Sequence, residues 1–259
     1  TDQFDIQEIK KHAVFHDFDF RNVTENRELY LTNKLIASQF GFKNLLEKYL
    51  NKDNLMSDNP DRLANHLLKI QEILHLYKNR HFNEFIKKTD YKIIKNSDLQ
   101  DLKDSIEQLS DFGVKTIEES INLANEFKLV IKDDSLENFI SENQEQYQAI
   151  KDISYSEIVN VFNYKNAHSP YSTQHGVKGA EFDNVFVILD NGRWNLYNFN
   201  YLFEGTSGKE SVIIRTRKMF YVTCSRAKKN LVVFFPKPSP ITLAQAKEWF
   251  GEMNVIAVQ

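Results

Sequence analysis

Three spacing patterns divide the chain. Over residues 12–59 the apolar positions first alternate and then change period. HAVFHDFDF (12–20) sets Val14, Phe18 and Phe20 among polar neighbours, which is the two-residue period of a strand. ELYLT (28–32) is a short apolar run behind the turn-prone Thr24-Glu25-Asn26. From Asn33 to Leu50 the period lengthens. Leu35, Ile36, Phe40, Leu45, Leu46 and Tyr49 recur near 3.6 residues and predict a helix.

Residues 60–164 hold the helical period throughout. Leu63, Leu67, Ile70, Leu74 and Tyr77 form one apolar face, Leu99, Leu102, Ile106 and Leu109 a second, and Ile117, Ile121, Ala124 and Phe127 a third. Pro60 and Gly113 are the only proline and glycine in the span, and Asp61, Ser97, Ser135 and Ser154 stand at plausible helix starts. The pattern predicts an all-helical block of about six helices.

Residues 170–259 return to mixed periods. FDNVFVILD (182–190) and NLVVFF (230–235) are apolar on both faces, as strands of a parallel sheet covered by helices are. Ile213 to Lys229 reads as the helix between them, and 193–211 as an aromatic, polar loop. Pro236, Pro238 and Pro240 end the second strand, Ala244 to Phe250 is a short helix, and VIAV (255–258) is expected as a final edge strand. The fold class is therefore α/β. Residues 1–59 and 165–259 form one parallel-sheet domain, and 60–164 form an inserted helical subdomain.

Composition adds limits. A hydrophobic content of 41% suffices for a packed core, and a net charge of −3 supplies no global basic field, so any nucleic-acid binding must be local. Cys224 is the only cysteine, which excludes an intrachain disulfide and agrees with a reducing cytoplasm. No apolar run approaches the roughly 20 residues that span a bilayer, so no membrane partner is expected. The histidines show no ligand-spaced cluster, so no metal site is expected. The N-terminus, polar and acidic and starting at Thr1, is no signal peptide and looks truncated or processed.

Two segments carry candidate chemistry: TQHGVKGAEF (173–182) and IIRTRKMFYVTCSRAKKNLVVFF (213–235). They resemble, in order, the patterns T-x-H-x-x-K-G-L-E-F and F-Y-V-A-x-T/S-R-A-K-x-x-L of the UvrD/Rep/RecB group of superfamily 1 DNA helicases. Ala180 replaces the usual leucine, and Gly176 a small residue such as serine. LYLTNKLIASQFGF (29–42) is similar to the family segment L-x-x-T-N/H-x-x-x-A. The resemblance is sharp over 171–235, moderate over 27–50 and architectural over 60–164. No G-x-x-x-x-G-K-[ST] occurs, so the phosphate loop of an ATPase is absent.

The resemblance implies the second RecA-like domain of such a helicase: a P-loop NTPase fold without the P-loop, interrupted by a helical insertion. Its implied cofactors are ATP and Mg²⁺, held mainly by an N-terminal RecA-like domain of the same protein that is the first implied partner. The others are single-stranded or duplex-junction DNA and a nuclease or repair partner; repair, recombination and phage defence all use such proteins. A bacterial, nucleoid-associated location is implied, and residues 1–259 alone are expected to be inactive.

Residue by residue, the resemblance makes Arg226 an arginine finger, which stabilises charge on a departing γ-phosphoryl group. The alternative is a surface arginine favoured by a helix C-terminus. Glu181 and Gly179 would meet the nucleotide, the glutamate at the ribose and the glycine by close backbone approach. Thr173, His175, Lys178 and Arg217 would line the DNA track, with the alternative that they belong to a glycine-rich turn and a solvated helix face. Thr32 and Asn33 would join them at the end of a strand, or simply cap the next helix. The aromatic residues Trp194, Tyr197, Phe199, Tyr201 and Phe203 either stack bases or pack beneath a loop, packing being the commoner fate.

Overall fold

The computed structural model describes residues 4–50, 52–111, 115–177, 179–191, 194–205 and 209–257. The chain divides into two compact units: Thr1–Gln39 with Ala167–Gln259, and Phe40–Asn166.

The first unit is built on four strands, β1 Asn26–Tyr30, β2 Tyr171–Thr173, β3 Phe182–Ile188 and β4 Ala227–Phe234. They form a single parallel sheet in the order β2-β1-β3-β4. β1 pairs with β2 in the register Glu28↔Tyr171, Leu29↔Ser172 and Tyr30↔Thr173, so the helical block is an insertion between two neighbouring strands. Both faces of β1 and β3 are covered. Leu29, Leu31, Val185 and Val187 pack with Phe199, Leu202 and Phe203 of a short helix, and with Met219 and Phe220. On the other face Phe186 meets Phe15 at 4.8 Å between ring centroids. That double cover explains why the strands read as apolar runs without alternation.

Helices α1 Ile6–Ile9 and α2 Asn33–Phe40 flank β1; α12 Phe199–Glu204, α13 Glu210–Cys224 and α14 Pro240–Phe250 follow β3 and β4. Ser239 caps α14 by accepting from Thr242 N at 3.1 Å, with Pro240 at the first helical position. Between α2 and α12 run α3 Lys43–Lys48, α4 Lys52–Met56, α5 Arg62–Lys78, α6 Phe82–Lys88, α7 Ser97–Leu109, α8 Ile117–Glu126, α9 Asp134–Glu142, α10 Gln144–Ile150 and α11 Ser156–Lys165.

These helices form the second unit, whose core runs along α5. Leu63, Ala64, Leu67, Ile70 and Ile73 are buried there. Polar side chains tie its helices together. Glu157 accepts from Leu45 N at 2.8 Å and Asn44 Nδ2 at 2.9 Å, and Tyr155 donates to Leu67 O at 2.9 Å. Asp61 caps α5 through Ala64 N at 2.9 Å.

Five expectations change, the first because the segment expected as an aromatic loop, 193–211, contains α12. Residues 12–20 are not a strand: successive turns, Phe18 N to Phe15 O at 2.9 Å and Asn22 N to Asp19 O at 2.9 Å, fold Phe15, Phe18 and Phe20 into one aromatic cluster over Phe186. The spacing of those phenylalanines serves a cluster, not a pleat. The helix expected over 33–50 is two helices, broken at Gly41, whose φ of +75° lies in the left-handed region. The helix expected to reach Lys229 stops at Cys224, because Ala227 onward pairs with β3. Residues 255–257 have no regular structure, and Val258, the end of the expected last strand, lies outside the described residues.

Candidate nucleotide and nucleic-acid interface

In a parallel sheet all strand starts lie on one edge and all strand ends on the other. The candidate residues divide between those edges. Arg226 directly precedes β4, and Glu181 directly precedes β3. Thr173 ends β2, while Thr32 and Asn33 follow β1. The loop 174–181 leaves the strand ends after Thr173 and returns to the strand starts before Phe182, crossing over β1.

That loop is anchored twice. Gln174, fully buried, donates its backbone N–H to Tyr30 O at 2.7 Å and its Nε2 to Ile188 O at 3.2 Å. Val177 packs into the core cluster. The turn before Val177 is tight: Gly176 N donates to Thr173 Oγ1 at 3.1 Å, and a Cβ at Gly176 would stand 3.0 Å from that oxygen, so a larger residue there would have to displace the Thr173 side chain. Gly179 has φ +87° with open space around it. Lys178 lies outside the described residues.

Arg226 and this loop brace each other. Arg226 Nη1 donates to Ala180 O at 3.1 Å, Nε to Val222 O at 2.7 Å and Nη2 to Ser225 Oγ at 3.3 Å. In the main chain Phe182 N donates to Arg226 O at 2.9 Å. The guanidinium therefore stands one residue from Glu181. That glutamate is exposed and makes no side-chain hydrogen bond or ion pair to any described residue. A cation and an open carboxylate share one sheet edge beside a glycine turn.

The other edge holds an aromatic group around His175. Its Nε2 is 2.8 Å from Tyr197 Oη, and the ring centroids of Tyr197 and Trp194 lie at 5.3 and 5.6 Å. Burial holds the imidazole below its ordinary pKa. Arg215 reaches over Tyr197 at 6.0 Å and donates to Leu196 O at 3.1 Å. Trp194 and Tyr197 also pack on the core, so their rings are structural first. Thr32 Oγ1 accepts from Leu35 N at 3.3 Å and so caps α2.

On α13, Arg217 and Lys218 are exposed, and Tyr221 is 73% exposed. Lys229 is paired with Asp183 at 2.7 Å, whereas Lys228 is exposed. Burial raises the Cys224 thiol to about 12, which leaves it unreactive at neutral pH. Among the described residues no group of three or more His, Cys, Asp or Glu side chains could hold a metal ion, and no helix is long and apolar enough to cross a membrane.

Spacing alone did not reveal the acceptors of Arg226, Ala180 O and Val222 O, or the Tyr197 partner of His175. A second missed group is Glu28, fully buried on β1 and paired with Lys10 from α1's C-terminal end.

The sequence is similar to Gabija protein GajB of Bacillus cereus (strain HuB5-5), at 26% identity over 91% of this chain and 43% of that protein. The chain thus spans less than half the length of this relative. The UvrD-like helicase C-terminal domain matches residues 2–237. With a doubly covered parallel sheet, a helical insertion between neighbouring strands and both motifs in place, the chain belongs to the UvrD-like helicase C-terminal domain family.

Proposed function

We propose that this chain is the C-terminal part of an ATP-driven DNA helicase or translocase. Its contribution to the ATPase site is Arg226 with the Gly179–Glu181 turn. The single observation that carries this reading is the hydrogen bond from Arg226 Nη1 to Ala180 O, 3.1 Å, which holds a guanidinium beside an open carboxylate. ATP, when bound, supplies a transferable phosphoryl group and a ribose. Arg226 exchanges its carbonyl acceptors for the negative charge that develops during transfer. Glu181 accepts hydrogen bonds from the ribose hydroxyls, and Gly179 lets the backbone approach. The phosphate loop and the Mg²⁺ ligands belong to an N-terminal RecA-like domain outside these residues, so residues 1–259 alone turn over no ATP.

Thr173, His175, Thr32 and Asn33 at the opposite edge, together with Arg217 of α13 and with Lys178 by its place in the motif alone, hold single-stranded DNA by its phosphates, without reading sequence. Residues 60–164 act as a separate subdomain that engages duplex or regulates the motor.

Arg226→Ala in the full-length protein tests the assignment. Turnover is expected to fall about 1000-fold or more, while nucleotide affinity changes far less. A second reading has its own observation: all three hydrogen bonds of the guanidinium end within its own unit, as those of a purely structural brace would. In that reading the chain is a non-catalytic DNA-binding or protein-interaction module that retains the helicase fold. Turnover within a few-fold of wild type, with a clear loss of thermal stability, selects the brace.

A further inference from the structure

Two buried polar groups at the strand starts lack partners. Arg27, the second residue of β1, is half-buried, and its Nε is enclosed without a hydrogen-bond acceptor. Among the described residues its guanidinium makes one hydrogen bond, from Nη1 to Ser169 O at 3.0 Å. Ser169, 1% exposed just before β2, has a hydroxyl that is also buried and unpartnered. Burial lowers the pKa of the guanidinium from its ordinary value, although the group stays charged. Enclosing a cation and orphaning its donor both cost stability, and an apolar side chain of similar size would cost less. An arginine in such a place calls for a use of its charge.

The guanidinium carbon lies 4.7 Å from the centroid of the Phe182 ring, within the range of a cation–π contact. Phe182 follows Glu181 and opens β3, and its ring belongs to the core cluster of the sheet. Its backbone is only loosely tied to that sheet. On one side the register between β1 and β3 begins at Asn26↔Asn184, further along β3. On the other side Phe182 pairs with Ala227 and Asn184 with Asn230, so an extra residue of β4 interrupts the ladder. Such an interruption disrupts pairing locally and is common beside functional sites. The ion pair inside it, Lys229 with Asp183, has a lysine side chain 68% exposed and contributes little.

The rung Phe182–Ala227 thus stands apart from the regular sheet, and Arg27 gives β1 a hold on it. Both candidate nucleotide residues adjoin this rung. Glu181 precedes Phe182, Arg226 precedes Ala227, and the Phe182 N–H donates to Arg226 O at 2.9 Å. The two differ in what else holds them. The Arg226 guanidinium is also tied to Val222 O of α13 and to Ser225 Oγ, so it keeps its place when Phe182 loosens. Glu181, exposed and without a side-chain partner among the described residues, takes its direction from the backbone on either side of it.

We propose that Arg27 is a positioning residue for nucleotide binding. Stacked on Phe182, it fixes the rung that opens β3 and so aims the Glu181 carboxylate at the ribose hydroxyls. This rests on the functional reading above and adds to it a residue that touches neither phosphate nor sugar. Because Arg226 is held separately, the effect of Arg27 falls on recognition of the nucleotide and not on phosphoryl transfer.

Steady-state ATP hydrolysis and hydrogen exchange on Arg27→Met, Arg27→Lys and Phe182→Leu in the full-length protein test this. Arg27→Met is expected to raise KM for ATP about tenfold, with kcat within about threefold of wild type. Its Tm should not fall, since a buried cation is replaced by an apolar chain. Arg27→Lys keeps a cation over the ring and loses the bond to Ser169 O, and its KM should stay within about twofold of wild type. Phe182→Leu should match Arg27→Met, and the double variant should add nothing to either. With dideoxyATP, which offers neither ribose hydroxyl, wild type and Arg27→Met should have equal KM. The Phe182 amide should exchange about tenfold faster in Arg27→Met, with Val185 and Val187 unchanged. A fall in kcat at constant KM overturns the proposal and makes Arg27 a cation at the phosphate. A lower Tm with KM unchanged overturns it as well and leaves a brace for Ser169. A lysine variant as impaired as the methionine one rules out the ring as the route. Wild-type turnover in Arg226→Ala removes the functional reading and with it the nucleotide role of Arg27, whereas unchanged exchange at Phe182 in Arg27→Met overturns this inference alone.

Discussion

Lys10→Met isolates the most exacting electrostatic arrangement in the α/β unit. Glu28 sits in the middle of β1 with a fully buried side chain, and Lys10, 10% exposed, is its cation. Tyr30 donates a second hydrogen bond to Glu28 Oε2 at 3.2 Å, and the Lys10 ammonium lies 4.4 Å from the Phe20 ring centroid. Burial pushes the carboxyl above its ordinary 4.5, and Lys10 and Tyr30 pull it back. Removing one partner of a buried pair costs about 3–5 kcal/mol, because the other charge stays buried and unmatched. For a unit of this size that is a fall in Tm of roughly 10 °C. The pH dependence follows from the direction of the shift. A carboxyl whose folded pKa is raised binds its proton more tightly in the native state. Its stabilising contribution is complete below 4.5 and is lost as pH rises through the folded value. Methionine removes the main opposing charge, raising the folded pKa further. The cost of Lys10→Met should therefore be full at pH 8 and much smaller near pH 5, and adding Glu28→Gln to it should recover most of the loss. Urea denaturation of the wild type and the two variants at both pH values measures this. A cost below about 1 kcal/mol at pH 8, or equal costs at the two pH values, refutes the buried-pair argument.

Asn184→Ala removes the middle rung of an asparagine ladder, with its bonds to Asn26 Oδ1, Asp17 O and Asn230 Nδ2; a loss of about 2 kcal/mol is expected by denaturation, from these lost hydrogen bonds. Gly179→Ala is expected to cost about 1–2 kcal/mol from its φ of +87° alone, since nothing lies within 4 Å of the added methyl, and a larger loss would reveal a contact the geometry lacks. Tyr197→Phe removes the hydroxyl that holds His175, and should cost about 1 kcal/mol and speed amide exchange over residues 174–177, with no change at β4.

The layout of the chain was legible because its strongest signals are long. Apolar runs at 28–32, 182–190 and 230–235 marked strands, and the helical period recurred from segment to segment between 60 and 164. β2 was not legible. Three residues, Tyr171-Ser172-Thr173, carry no period, and their strand state comes from pairing with β1, extended by the bond from Glu28 N to Pro170 O at 2.8 Å. Residues 12–20 failed for the converse reason. Alternating phenylalanines suit a pleat or a cluster equally, and the turns that decide between them rest on Asp19 and His12, whose side chains bond their own backbone neighbours.

The candidate site could be drawn from the sequence as a set of residues but not as geometry. Motif order singles out Arg226, Glu181 and Thr173 as candidates, yet which end of the sheet each one occupies depends on strand direction and register, and these exist only once the sheet has formed. The sheet sets Arg226 and Glu181 at the strand starts and Thr173, Thr32 and Asn33 at the strand ends, joined by the eight-residue loop 174–181. That loop is the one covalent path from β2's end to β3's start, and Arg226 is hydrogen-bonded to its last turn through Ala180 O. In the proposed motor, an arginine that leaves Ala180 for a phosphate also releases the turn that carries Glu181. A nucleotide event at one edge then has a direct mechanical route, through the anchored Gln174 and Val177, to His175 and Thr173 at the other.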